Sequence, residues 1–497
     1  MPPGFYTLQG IHIEVRRVTS SSLVTKSWVF SLRDLWLREE HITMAVHVME
    51  TEIYGRDYTA PEIREIFDEK AVVESWLMYA GILAETQGEL GIIPEKAARE
   101  IKEKATLKHV KFERIVELYP KTKHAGLATV RALAEVCEPE TGEYVHYGSC
   151  APEMWENTLA YRLKKAMDIY ERELSLIRSC LNKLADGHRG TLMVERSLGQ
   201  QALPTTFGFV AAIWSDAISK QLERSQEARK RILMGFVKGV VGTYASHYMV
   251  GGEKCLELEK RVLERLGLFG NRISFRRHLD RLTEFMYLLS LFAVTFEKIF
   301  DDIFFHMRSE IEELEEPPAE EGPSESSTLP QKRNPVRCQA VLAWCKKIRS
   351  NAAAFAETHM RQSHDTIGFT MENLIIPETC VLTGAVLSSA RYFLENMRVN
   401  KAAMKKNLES SNGLIMTEAL MLALSKKTGQ KQTAHATVHR AAMEAWERGI
   451  PFSEFVLEYS AIIEHLAKDE VQEFLKPENY LGLIDMCIDR VIQDAQR

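Results

Sequence analysis

Residues 324 to 335 read SESSTLPQKRNP, which puts two adjacent serines, a lysine and an asparagine in one short polar stretch. They follow an acidic run, EIEELEEPPAEEGP, in which Pro317, Pro318, Gly322 and Pro323 forbid helix, so the spacing predicts a loop. Just beyond it VRCQAVLAWCKKIRSNAAAFAE resumes the 3.6-residue apolar period, with Pro335 suited to a first helical turn. Ser326, Ser327, Lys332 and Asn334 therefore sit where a helix begins, and the unpaired N–H groups there attract anions. The same residues also suit a solvated linker with a capping serine.

Other polar residues carry two readings each. His124 lies between Lys123 and an apolar helical run, so it either caps helices or meets a ligand, and His146 in VHYG is similar. Gln200, just before ALPTTFG, gains little from burial without partners, which favours a functional role. Arg333 and Arg337 fit a solvated face, and Arg361 a helix-surface charge.

The elements that must position these groups are helices. PEIREIFDEKAVVESWLMYAGILAETQGELG ends on Gly91 and EMWENTLAYRLKKAMDIYERELSLIRSCLNKLADG on Gly187, both with helical apolar spacing. LPTTFGFVAAIWSDAISKQLERSQEARKRIL and RLTEFMYLLSLFAVTFEKIFDDIFFHMRSEIEEL continue the pattern, and lengths like these suit a bundle. No segment of consequence has strand period. At 497 residues, with 45% hydrophobic and 27% charged residues, the chain is expected to be a globular protein of two to four domains or one extended bundle.

A balance of 63 basic against 69 acidic residues, with no basic block, argues against nucleic acid or an acidic membrane surface as partner. Eight cysteines lacking C-x-x-C spacing fit a reduced, cytosolic chain better than a disulfide framework or a zinc site. No run approaches the roughly 18 consecutive apolar residues of a membrane span. Arg16, Arg17 and Lys26 suggest a transit peptide, but Glu14, Asp34, Glu39 and Glu40 argue against one. Residues 1–50 are an extension to which the sequence assigns no role.

Several stretches, in order, resemble the fumarase/aspartase superfamily. SSTLPQKRNP resembles its G-S-S-x-M-P-x-K-x-N-P signature, TKHAGLATVRALAEV its T-K-H-D segment, and YVHYGSCAPEMWENT its H-x-G-x-T-S-x-D segment. ERSLGQQALPTTFG is similar to R-T-H-G-Q-x-A-x-P-T-T-F-G, and the wording is nearest to the branch of 3-carboxy-cis,cis-muconate cycloisomerases. The resemblance implies an all-α, three-domain fold: residues 51–150, then a central long-helix bundle over 151–398 carrying the loop 321–337, then 399–497. It also implies a homotetramer with active sites shared between subunits, and no metal or organic cofactor. Ser326 corresponds to the family base. Arg196, Ser197, Gln200, Ser327, Lys332 and Asn334 correspond to substrate-binding positions, and His124 and His146 to active-site histidines.

Departures from the pattern shape the expected reaction. The histidine of T-H-G-Q is Leu198 here, and the glutamate that pairs with it in the family is Gln339. The carboxylate-binding T-S pair is Cys150-Ala151, the following aspartate is Glu153, and Ala125 replaces another aspartate. Anion-binding groups are kept while part of the acid–base machinery is lost. That combination suits expulsion of a group needing no proton, such as carbon dioxide. The expected activity is decarboxylation of the small tricarboxylate trans-aconitate to itaconate, as in the fungal trans-aconitate decarboxylases that resemble this branch. The alternatives are a cycloisomerase or an adenylosuccinate-like lyase, and a catalytically inactive tricarboxylate-binding scaffold.

Overall fold

In the computed structural model the described residues are 47–55, 60–273, 280–318, 326, 328–358 and 366–494, together with the backbone of 6–8 and 11–13. Residues 1–51 form one unit, in which β1 (Tyr6–Leu8) pairs antiparallel with β2 (Ile11–Ile13). Residues 52–497 form the other.

The second unit is built from α1 (Glu69–Glu89), α2 (Ala125–Val136), α3 (Ala151–Gly187), α4 (Phe207–Ile232), α5 (Ala245–Gly251), α6 (Asp280–His306), α7 (Val336–Glu357), α8 (Thr366–Asn396) and α9 (Lys401–Glu409), with further helices between and beyond them. The long helices close a ring in which α3 packs on α4, α4 on α6, α6 on α7, α7 on α8, and α8 back on α3. Phe285, Phe292, Phe296, Phe300, Phe355 and Phe393 fill its interior. Each aromatic ring buries 150–250 Å², so they dominate the packing.

Named hydrogen bonds fix the helix directions. Ser215 Oγ meets Asn182 Oδ1 at 2.6 Å, while Phe236 N–H donates to Asn157 Oδ1 at 2.9 Å, so α4 runs antiparallel to α3. Trp214 Nε1 donates to Asp302 at 3.3 Å and Arg281 Nη1 to the Ile232 carbonyl at 3.4 Å, which reverses α6 against α4. Cys338 Sγ donates to the Phe300 carbonyl at 3.3 Å, and Tyr170 O–H to the Cys380 carbonyl at 2.8 Å, which place α7 and α8. The bundle thus has a first end, where α3, α6 and α8 begin, and a second end, where they finish.

The helical period places the long helices, and three of the expected stretches need correction. The helix expected over 61–91 breaks at Asp68, whose carboxylate caps α1 by accepting from Lys70 N–H at 2.9 Å. Residues 192–206, expected to hold no strand, form an antiparallel hairpin of β3 (Leu192–Ser197) and β4 (Gln200–Thr206). The helical stretch from 281 ends at His306, and the segment after it is irregular apart from a two-residue strand, Leu314–Glu315. Helix α8 passes the length and hydropathy test for a membrane span, yet 72% of its most apolar window is buried, as befits a core helix.

Thr206 starts α4 by accepting from Phe209 N–H at 3.2 Å. Gly208 follows because a Cβ there would lie 2.5 Å from the Ala185 carbonyl oxygen, 2.7 Å from the His188 carbonyl carbon and 2.8 Å from Arg189 N, all of them backbone. Gly208→Ala is expected to destabilise the fold by about 1–3 kcal/mol, the usual size of overpacking. An unchanged urea midpoint would contradict that packing argument.

Candidate active site

At the first end, His124 is the N-cap of α2, its Nδ1 accepting from Leu127 N–H at 2.9 Å. That bond requires a lone pair on Nδ1, so the neutral ring carries its proton on Nε2. The imidazole stacks on Trp155 at 4.9 Å, and Trp155 on Phe369 at 4.5 Å, tying α2 to the starts of α3 and α8. Capping and active-site roles are therefore compatible, since Nε2–H remains as a donor.

His146 sits in the turn before α3 with φ of 60°, a left-handed conformation, and neither of its buried ring nitrogens makes a well-aligned hydrogen bond among the described residues. Burial holds its pKa below the ordinary histidine value, against the opposing charge of Glu153 and a loose hydrogen bond with the Cys150 backbone. Behind it Glu153 and His247 are both completely buried. Burial pushes the Glu153 carboxyl up, but His247, Ser149 and the Gly239 N–H donate to it and outweigh that effect, leaving its pKa lowered. Tyr79 is raised well above its usual value by burial first and by the Glu153 charge second.

At the second end, Ser197 and Gln200 face each other across the tip of the β3–β4 hairpin, both exposed. The tip residues Leu198 and Gly199 have φ of 53° and 78°, the pattern of a two-residue type I′ turn. Leu198 is 100% exposed, so within its own chain it walls no site.

Arg196, expected to hold substrate, has its guanidinium on the fully buried Glu313, with bonds of 3.1 and 3.0 Å. Glu313 also accepts from Asn407 Nδ2 at 2.8 Å and lies 2.6 Å from His306 Nδ1. Burial raises this carboxyl, but the bonds from His306, Arg196 and Asn407 win and hold it below the ordinary range.

Ser326 Oγ accepts from Leu329 N–H at 3.0 Å, which shapes the start of the signature loop. Lys332, Asn334 and Gln339 line one cleft of about 1110 Å³, together with Arg308 and Arg333. Lys332 makes no ion pair among the described residues, whereas Arg333 pairs with Glu315. Arg337 lies over the Tyr392 ring, 4.6 Å from its centroid. Ser327 and Arg361 lie outside the described residues.

Two expectations about this helix start need correction. Pro335 is the residue before α7 rather than in its first turn. The N–H groups of Arg337 and Cys338, expected to attract an anionic ligand, already donate to Glu316 at 2.9 and 3.1 Å. A carboxylate of the acidic run supplies that anion internally.

The site residues thus divide between two ends. From Glu153 to Gly187 α3 advances roughly 50 Å at 1.5 Å per residue, so His124 and His146 cannot meet Ser326, Lys332 and Asn334 within one chain. Sequence reading missed Glu313, Glu316, His306 and His247, all of which stand outside the motif words. Among the described residues no group of three or more His, Cys, Asp or Glu side chains forms a metal site.

Residues 55–350 match the family described as "Lyase", and residues 413–491 match the family described as "Adenylosuccinate lyase C-terminus". The chain belongs to this lyase family, within the fumarase/aspartase superfamily. It is 37% identical to the adenylosuccinate lyase of Methanocaldococcus jannaschii, over 90% of this chain and 96% of that one. It is 35% identical to the N-acetyl-S-(2-succino)cysteine lyase of Dickeya dadantii, over 91% and 98%. The 3-carboxy-cis,cis-muconate lactonizing enzyme of Pseudomonas putida superposes with a TM-score of 0.82 at 25% identity, covering 90% of this chain and 99% of that one. The protein is accordingly an enzyme of the lyase class with an all-α fold.

Proposed function

We propose that the chain decarboxylates trans-aconitate to itaconate. The observation that carries this reading is the joint loss of the acid–base pair: a leucine stands at the hairpin tip and an amide, Gln339, lines the cleft beside Lys332 and Asn334. Loss of the CH2-bound carboxylate as CO2 leaves its electron pair on carbon, conjugated through the double bond into the adjacent carboxylate. Lys332 and Asn334 stabilise the resulting dienolate, and such preorganised donors contribute several kcal/mol. The Ser326 hydroxyl then protonates the former vinyl carbon, giving itaconate, and regains a proton from water. The eight cysteines, all free thiols, support a cytosolic setting.

The relatives favour a second reading. The two relatives named above are lyases of succinyl compounds, and a succinyl thioether would expel a thiolate, whose conjugate acid has a pKa near 8.5 and needs little proton help. The loss of the pair is compatible with that reaction as well. Purified protein incubated separately with trans-aconitate, adenylosuccinate, N-acetyl-S-(2-succino)cysteine and 3-carboxymuconate distinguishes the readings, with CO2 release and product NMR followed together. CO2 and itaconate from the first substrate are expected, and turnover confined to a succinyl substrate would replace this proposal with the second.

Rebuilding the pair as Leu198→His with Gln339→Glu should not raise the rate of CO2 release, because it sets a polar pair beside a carboxylate that must become neutral. Faster decarboxylation in a folded double variant would count against the mechanism.

The site is completed in a homotetramer that brings first and second ends of different chains together. The roughly 50 Å along α3 supports this. So does a fully exposed leucine in a left-handed conformation, which costs about 1–2 kcal/mol and gains nothing within its own chain. Sedimentation should show a tetramer; a fully active monomer would contradict shared sites.

A further inference from the structure

The pair lost at 198 and 339 is not the only histidine–carboxylate pair in the chain, and the one at the first end has no part in the reaction above. His247 Nε2 lies 3.0 and 3.1 Å from the two carboxylate oxygens of Glu153. Ser149 Oγ and the Gly239 N–H donate to the same carboxylate, each at 2.5 Å, and Tyr79 O–H at 3.4 Å. Donation to a carboxylate requires the proton on Nε2. Nδ1 is then the nitrogen that faces the turn before α3: it is buried without a partner, and a Cβ on Gly148 would lie 3.5 Å from it.

That turn contains two left-handed residues, His146 at φ of 60° and Gly148 at 71°. Such backbone persists where its surroundings over-determine it. Three contacts do so: Ser149 on Glu153, Gln87 Nε2 donating to the Tyr147 carbonyl at 2.7 Å, and the His247 ring against Gly148. The product is a nearly buried His146 whose ring nitrogens make no well-aligned hydrogen bond among the described residues, and a buried N–H left in that way gains by meeting an acceptor. An entering carboxylate would supply one.

We propose that Glu153 and His247 form a positioning pair that fixes the 146–150 turn so that His146 receives a substrate carboxylate, in place of the Thr-Ser pair replaced here by Cys150-Ala151. This rests on the lyase reading. It follows that the pair governs substrate affinity more than the chemical step.

The test compares the parent with His247→Phe, which keeps a ring but no donor, and His247→Gln, whose amide can still donate to Glu153. His247→Phe should speed amide exchange in the 146–150 peptide by at least ~10-fold and raise KM by ~10-fold with kcat nearly unchanged. His247→Gln should restore both to within about threefold. Parental KM in the phenylalanine variant, or faster exchange with KM unaltered, would overturn the proposal and leave the pair a purely structural feature. If the phenylalanine variant fails to fold, His247→Asn, whose shorter amide falls short of Glu153, takes its place and should show the same rise in KM. If the parent turns over none of the acids, the lyase reading fails; calorimetric affinity for trans-aconitate then replaces KM, and equal affinity across the variants, including none, overturns the positioning role.

Discussion

Replacing Ser326 with alanine is expected to lower the turnover of trans-aconitate by ~10²-fold or more, the size of a lost general acid–base group. The hydroxyl is the proposed donor to the former vinyl carbon, and its oxygen already orders the loop by accepting from Leu329 N–H. A solvent-deuterium experiment tests the electron flow that this donation presupposes. In the parent one deuterium should enter at the carbon that was vinylic; label on the terminal =CH2 carbon of itaconate would show a different electron flow. Unchanged turnover in Ser326→Ala would move the donor to His124 or His146, and of these His124 has the better-defined proton, since its cap leaves the hydrogen on Nε2.

The second large effect concerns Glu313. Glu313→Ala should cost about 3–5 kcal/mol, because it leaves the Arg196 guanidinium, only 12% exposed, without its partner in a buried setting. Urea unfolding of parent and variant measures this, and a loss below about 1 kcal/mol would refute the dependence of the buried Arg196 guanidinium on Glu313. The pH dependence has a definite sign. The folded carboxyl has a lowered pKa, so its contribution is present above the unfolded carboxylate value and is lost as pH falls through the folded one. Glu313→Gln, which cannot titrate, should therefore flatten the acid limb of the stability curve.

Much of the fold was legible because apolar residues recur at helical spacing over long stretches, and α7 begins and ends where its period predicts. The hairpin escaped notice for a physical reason. Its first strand, LMVERS, shows the burial order intermediate, buried, buried, exposed, intermediate, exposed, so no period-two alternation marks it. A register shift between Glu195 and Arg196 disturbs it further.

The candidate site was legible as words and illegible as an arrangement. Motif order says nothing of helix direction, so the sequence could not show that His146 and Lys332 lie at opposite ends of a bundle. Nor could it link Glu153 with His247, residues 94 apart that meet only because the 235–247 segment folds back over the start of α3. Arg196 shows the converse: a motif residue with the type expected of a carboxylate ligand is committed to a carboxylate of its own chain.

The contact of Glu316 with the first turn of α7 also bears on how such an enzyme changes over evolutionary time. It ties residue 316 to residues 337 and 338, and so sets the span that the intervening chain must bridge. With its ends fixed, a loop can lengthen cheaply, since each doubling adds only about 0.6 kcal/mol of closure entropy. If the proposed function holds, changes between the two anchors that spare Ser326, Lys332 and Asn334 would alter which acid is accepted while the bundle beneath keeps its packing. Loop exchange between relatives that retain this carboxylate is accordingly a rational route to new specificities on one scaffold.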